Sequence, residues 1–168
     1  KTNWITQNTY LPNQSNLAII TFTNTEKVVI TAYRVPYNLE LNNFNYRDRD
    51  SLTNAYFKNK KASFSKSYSL PKITDYNSYS TELVVPKLSL GSYYFKIETD
   101  TLTKSAKFHK IQVSELSLNK TDGSFGNTYQ VLNSYTGNPI SDVNALVKIS
   151  KDRNHNEYNT HKYVTDSW

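Results

Sequence analysis

Along most of the chain, apolar and polar side chains alternate with a period of two. Tyr93, Phe95 and Ile97 alternate with Tyr94, Lys96 and Glu98, and Val28, Ile30 and Ala32 alternate with Val29, Thr31 and Tyr33. Leu17 to Phe22 is a short apolar run with β-branched members. Such alternation puts one set of side chains on a core face and the other toward solvent. Val, Ile, Thr, Tyr and Phe dominate these runs, which predicts strands rather than helices.

Turn signals separate the runs. Asn24-Thr25-Glu26 lies between 17–23 and 27–35, a hairpin spacing. Pro86 to Gly91 divides 79–85 from 92–98, and Glu98 to Thr101 divides that run from 103–113. Short strands so spaced predict an antiparallel sandwich. Residues 37–66 break the pattern. Ser51 or Asp50 is placed to cap a short helix whose apolar side would carry Leu52, Ala55 and Tyr56. The stretch reads as a crossover with one or two helical turns, able to cover an open strand at a sandwich edge.

The phase of the alternation shifts near Val113. Ile111 and Val113 share a face, as do Leu116 and Leu118, but the step from 113 to 116 is three residues. A bulge or a change of sandwich produces such a step, so the expected domains are 1–112 and 113–168. Beyond the boundary, Val131-Leu132-Asn133 leads into a turn where Gly137 can take a positive φ and Pro139 pins the exit. Val143, Ala145, Val147 and Ile149 then point one way. The stretch is too short for a seven-stranded sandwich of roughly 100 residues, so the second unit is expected to be truncated.

Composition narrows the chemistry. The 168 residues include no cysteine and no methionine, four glycines and three histidines. Without cysteine there is no disulfide, thiolate metal site or cysteine nucleophile. A chain that starts Lys1-Thr2-Asn3-Trp4 with no methionine reads as processed or excised from a longer one. The net charge of +6 is spread along the chain, with Lys58, Lys60 and Lys61 the tightest group. A nucleic-acid platform would want clustered Arg and exposed aromatics, and nucleic acid is not an expected partner. No apolar run approaches the roughly 18 residues of a membrane helix.

Two motifs resemble a known family. The first is Leu70-Pro71, Asp75-Tyr76, Ser80-Thr81-Glu82, Val85-Pro86, Leu88, Leu90-Gly91 and Tyr93-Tyr94. The second runs from Val131 through Asn133, Thr136-Gly137-Asn138-Pro139-Ile140 and Val147 to Thr165-Asp166. Together they resemble bacterial alpha-2-macroglobulin-like proteins, as does Tyr10-Leu11-Pro12 followed by Leu17 to Ile20. The second motif departs from the family where Asn133 replaces the usual Asp and Asp142-Val143 the usual Gly-Ala. The resemblance implies a segment of a large extracytoplasmic protease-trapping inhibitor. In that family a cleaved bait segment triggers closure, and many members carry a Cys-containing thioester motif that this chain cannot hold.

Candidate sites are few. His155 and His161, with Asp152 or Glu157, lack metal-ligand spacing and read as a solvated loop. His109 reads as pointing outward or toward the domain junction. Asp48 and Asp50 flank Arg49 as a helix start rather than a calcium loop. Asp75 and Glu82 have no nucleophile or base near them in sequence, so turn and capping roles are expected. Asn13 and Asn119 head glycosylation sequons. Tyr76, Tyr79, Tyr93 and Tyr94 allow a stacking surface for sugar or peptide, or a core role for Tyr93 or Tyr94 with the others at the sandwich edge.

The expected fold is an all-β antiparallel sandwich, macroglobulin-like or Ig-like, with a second partial domain. The expected function is non-catalytic, with no catalytic, cofactor or metal residues and no cofactor. The expected partners are the remaining domains of a parent chain and, through it, proteases. The alternative is an adhesin or a glycan- or peptide-binding module of a bacterial surface protein.

Overall fold

The computed structural model describes residues 2–5, 9–39, 41, 49–73, 75–99, 106–124, 126–150 and 158–166. Its elements in order are β1 (Thr2–Ile5), β2 (Thr9–Tyr10), β3 (Asn16–Phe22), β4 (Lys27–Val35), α1 (Arg49–Phe57), β5 (Phe64–Ser69), β6 (Tyr79–Val85) and β7 (Gly91–Thr99). They continue as β8 (Lys107–Val113), β9 (Leu116–Gly123), β10 (Gly126–Asn133), β11 (Asn144–Ser150) and β12 (Tyr158–Val164). The all-β expectation holds. The chain divides into two compact units, Lys1–Ser114 and Glu115–Trp168.

Unit 1 holds two sheets, ordered β1-β3-β6 and β2-β8-β7-β4-β5. All their ladders are antiparallel except β2–β8, which is parallel. The core lies where the apolar faces meet: Ala18, Ile20 and Phe22 of β3 with Val28, Ile30, Tyr93, Phe95, Ile97, Ile111 and Val113. Tyr68 of β5 donates a 2.5 Å hydrogen bond to the Val84 carbonyl of β6, tying one sheet to the other. Burial, then the nearby Tyr10, pushes the Tyr68 hydroxyl pKa up to about 12, so it stays a donor across the neutral range.

The hairpin expected at Asn24-Thr25-Glu26 is a crossover instead. β3 and β4 belong to different sheets, and Thr25 is buried at the corner with its hydroxyl donating to the Thr23 carbonyl. A three-residue connection suits a hairpin or an arch equally, and here both flanking strands gain more by facing each other across the core. β6 and β7 are likewise split between sheets.

The motif around Gly91 is held together by contacts to backbone. Leu88 is buried, and its carbonyl accepts from the Asn13 N–H. Gly91 has φ +148°, and a Cβ there would come 3.0 Å from Arg34 Nε. Arg34 Nη2 donates to the Leu90 carbonyl across the same spot. Tyr93 is buried and donates to the Ser89 carbonyl at 3.0 Å. It thus acts as a tyrosine corner, returning its hydroxyl to backbone a few residues upstream.

The 37–66 segment departs from expectation in two ways. α1 begins at Arg49, so Asp50 and Ser51 lie inside its first turn rather than capping it. Its buried side is Thr53 and Phe57, not Leu52, Ala55 and Tyr56, which are all exposed. Phe57 stacks on Tyr33 of β4 at 4.6 Å and on Phe108 of β8 at 5.7 Å, and lies 5.7 Å from the Tyr94 ring of β7. Helix α1 and Leu41 therefore cover the outer face of three neighbouring strands instead of guarding an edge. Leu41 completes the cluster, its N–H bonded to Tyr94 Oη at 3.1 Å.

Unit 2 is two hairpins, β9–β10 and β11–β12. Every buried hydrophobic residue among the described ones lies at or before Val113. Leu118, Tyr129, Leu146, Ile149 and Tyr163 are each at least half exposed.

A nine-residue helix is well below the roughly 12–15 residues that hold together alone in water, so packing must hold α1 in place. Phe57→Ala is expected to cost unit 1 about 3–4 kcal/mol in urea unfolding. Leu52→Ala, on the exposed side, should cost less than about 1 kcal/mol. Equal losses would show that α1 docks by another face.

Candidate functional site

The residues singled out from sequence do not converge. Tyr93 and Tyr94 are both 2% exposed and point to opposite faces of β7, so neither belongs to a stacking surface. Tyr76 and Tyr79 are exposed, and Tyr76 adopts a positive φ of 60°. Asp75 closes a local turn, accepting from Asn77 N–H at 3.0 Å, Asn77 Nδ2 at 2.9 Å and Tyr79 Oη at 2.6 Å. Those bonds, Tyr79's first, hold its carboxyl below the ordinary range and raise the Tyr79 hydroxyl. Glu82 sits in β6 opposite Ile19, exposed.

The histidines are equally dispersed. His161 lies in strand β12 opposite Val147, not in a loop, with its ring 6.3 Å from Tyr163. His155, Asp152, Glu157 and Asp48 lie outside the described residues, as does the side chain of Asp50. No group of three or more metal-ligating side chains occurs among the described residues. His109 faces inward, against the outward reading: it pairs with Phe95 and shares its side of β8 with Ile111 and Val113. Alternation with those two residues was the available signal. No helix among the described residues is long and apolar enough to cross a membrane.

Two constructed features stand out. The first is a clamp in unit 2. Asn133 Oδ1 accepts from the N–H groups of Tyr135 and Thr136, while the Asn133 carbonyl accepts from Gly137 N–H. An amide oxygen thus serves as the turn's acceptor at the position where the resemblance led to the expectation of an Asp. Gly137 has φ +73°, as its place in the turn requires. Asp142, where that family carries Gly, has φ +58°, a conformation Asp tolerates better than most side chains. Thr165 then locks the connection: its Oγ1 accepts from Val143 N–H at 3.0 Å and donates to the Ile140 carbonyl at 2.8 Å. Its backbone carbonyl accepts from Asp142 N–H, and its N–H donates to the Val143 carbonyl.

The second feature is a cleft of about 360 Å³ between α1 and the outer face of the five-stranded sheet. Tyr33, Asn54, Ala55, Phe57, Lys58 and Lys96 line it. Lys96 Nζ lies 2.7 Å from Glu98 Oε1. Sequence reading missed this cleft because Tyr33 and Lys96 sit on the strand face assigned to solvent. Only the register, which sets Tyr33 opposite Tyr94, reveals that this face is covered.

Thr165→Val removes both hydroxyl bonds and is expected to cost unit 2 about 1–2 kcal/mol, with faster amide exchange at Val143. Asp142→Gly should gain about 0.5 kcal/mol by releasing the left-handed backbone from its Cβ. Unchanged exchange at Val143 in the Thr165 variant would dismiss the clamp. Burial first, and Lys107 second, hold the His109 pKa below its ordinary 6.5. The unfolded chain therefore takes up the proton first as pH falls. Stability should decline below about pH 6.5, the decline ending once pH is below the folded pKa. His109→Gln should flatten that part of the urea-midpoint profile.

No family model and no curated protein matches this chain. Solved structures do. Native alpha-2-macroglobulin from Escherichia coli spanning domains NIE–MG1 aligns with a TM-score of 0.56 at 9% identity, covering 89% of this chain and 74% of that one. The same protein spanning domains MG0–NIE–MG1 aligns with a TM-score of 0.52 at 8% identity, covering 95% of this chain. This chain spans 56% of that longer fragment. At such identities the likeness is one of fold. It bears out the resemblance carried by the Gly91 and Gly137 motifs: the chain shares the β-sandwich fold of bacterial alpha-2-macroglobulin.

Proposed function

We propose that this chain is a non-catalytic scaffold segment of an alpha-2-macroglobulin-like protein of the bacterial cell envelope, the whole protein being a protease-trapping inhibitor. The single observation that carries the reading is the fold shared with the E. coli NIE–MG1 fragment over 89% of this chain. In this reading residues 1–112 form one macroglobulin-like sandwich and 113–168 begin a second. The remaining domains of the parent chain are the direct partners, and proteases are met through the parent. Extracytoplasmic placement is part of the same proposal, and the same likeness supports it.

The chemistry supports a structural role. Asp75 is engaged in its own turn, His109 lies on an inner face, and Tyr93 and Tyr94 are consumed by packing. A scaffold needs fixed geometry, and the Tyr93 corner and the Thr165 clamp supply it through backbone bonds.

The test uses the full-length gene product and this chain side by side. Protease added to the full-length protein should keep activity on a small peptide substrate and lose it on a large protein substrate. This chain alone should leave both activities unchanged. Inhibition by the isolated chain, or equal access of both substrates in the full-length protein, would overturn the reading.

A further inference from the structure

We propose that the cleft between α1 and the five-stranded sheet binds a monoanionic sugar acid of the hexuronate class. The argument starts with size. A volume of about 360 Å³ is far more than a lone carboxylate needs and falls within the roughly 300–1,000 Å³ range of small-molecule sites. The lining is of two kinds. Tyr33 offers aromatic surface, held in place because its ring stacks on the buried Phe57 at 4.6 Å and 25°. Asn54, Lys58 and Lys96 offer polar groups around it.

Charge then selects the ligand. Lys58 and Lys96 bring two ammonium groups to the lining, and Glu98 engages one of them. An ammonium has three N–H donors, and Glu98 Oε1 takes one of those on Lys96. Lys60 and Lys61 follow Lys58 in the chain and raise the potential further. Lysines after a helix C-terminus also complement its dipole, and Lys60 is used locally, over the Tyr56 ring at 5.1 Å. That role does not account for Lys96, which comes from β7 on the opposite wall. The lysines call for an anionic group, and inorganic phosphate is the anion from which the test must separate a sugar carboxylate. A sugar ring has an apolar face for Tyr33 and hydroxyls for the Asn54 amide, so it suits a mixed lining better than an arene does. The site does not rest on the scaffold reading.

The test is a titration of the 168-residue chain with sodium glucuronate, followed by amide chemical shifts. Saturable shifts at Asn54, Lys58 and Lys96 with a dissociation constant on the order of 1 mM are expected, weakening with added salt. Glucose and benzoate should shift the same amides less. Lys58→Glu, at an exposed position, should weaken binding about tenfold or more. Lys60→Glu, outside the lining, should weaken it less than about threefold. The proposal fails if no saturable shifts appear at the cleft, or if glucose, benzoate or inorganic phosphate matches glucuronate. It also fails if the two lysine variants lose affinity equally, which would mark a general charge effect.

Discussion

Strand β7 is buried on both faces along residues 92–95, and the rest of unit 1 follows from that constraint. Tyr93, Phe95 and Ile97 fill the space between the two sheets, while Ser92 and Tyr94 are buried on the other side. A central strand in a two-layer sandwich would normally turn that second side to water. Here Tyr33, Tyr94 and Phe108 make an apolar row across three strands, and it must be covered. Phe57 covers it. The described part of the excursion between β4 and β5 is thus a third layer over the sheet. Its ordered helix exists because the aromatic row gives a short, weakly amphipathic segment something to bury against.

That constraint also marks where sequence reading succeeds and where it stops. Alternation in 17–22, 28–33 and 93–97 was enough to find the strands and the inner core, because one face of each is continuously apolar. The structure divides into its two units between Ser114 and Glu115. The outer layer was harder to see. Tyr33, Tyr94 and Phe108 come from distant parts of the chain, and only the register brings them together. Likewise the helix presents Thr53 and Phe57, a pair whose first member looks polar. The hydrophobic spacing of Leu52, Ala55 and Tyr56 was a better local pattern, and it lost to a single large aromatic with three partners. Sheet membership was illegible for a related reason: a three-residue connection does not say whether the next strand turns back beside its neighbour or crosses the core.

The two departures from the family pattern in unit 2 have a common explanation. A turn can keep its shape when an acceptor oxygen or a left-handed backbone is supplied by a different residue, provided the geometry survives. Asn133 supplies the oxygen, and Asp142 supplies the backbone conformation at some cost in strain. Thr165 then holds the Asp142 region through bonds on both sides of the chain. Substitution at these positions therefore changes energies while leaving the connection intact. Fold likeness can accordingly persist at 9% identity.

The two units differ in what holds them. Unit 1 encloses a core of sixteen buried residues and a second aromatic cluster. Unit 2 contributes no buried apolar residue among those described and depends on hairpin ladders, the Asn133 turn and the Thr165 clamp. Hydrogen bonds at exposed positions contribute on the order of 1 kcal/mol each or less, whereas each large side chain sealed in unit 1 contributes about 1.5–3 kcal/mol. Local opening should therefore begin in unit 2, and removing the Thr165 bonds should be felt there while the Tyr93 corner stays closed.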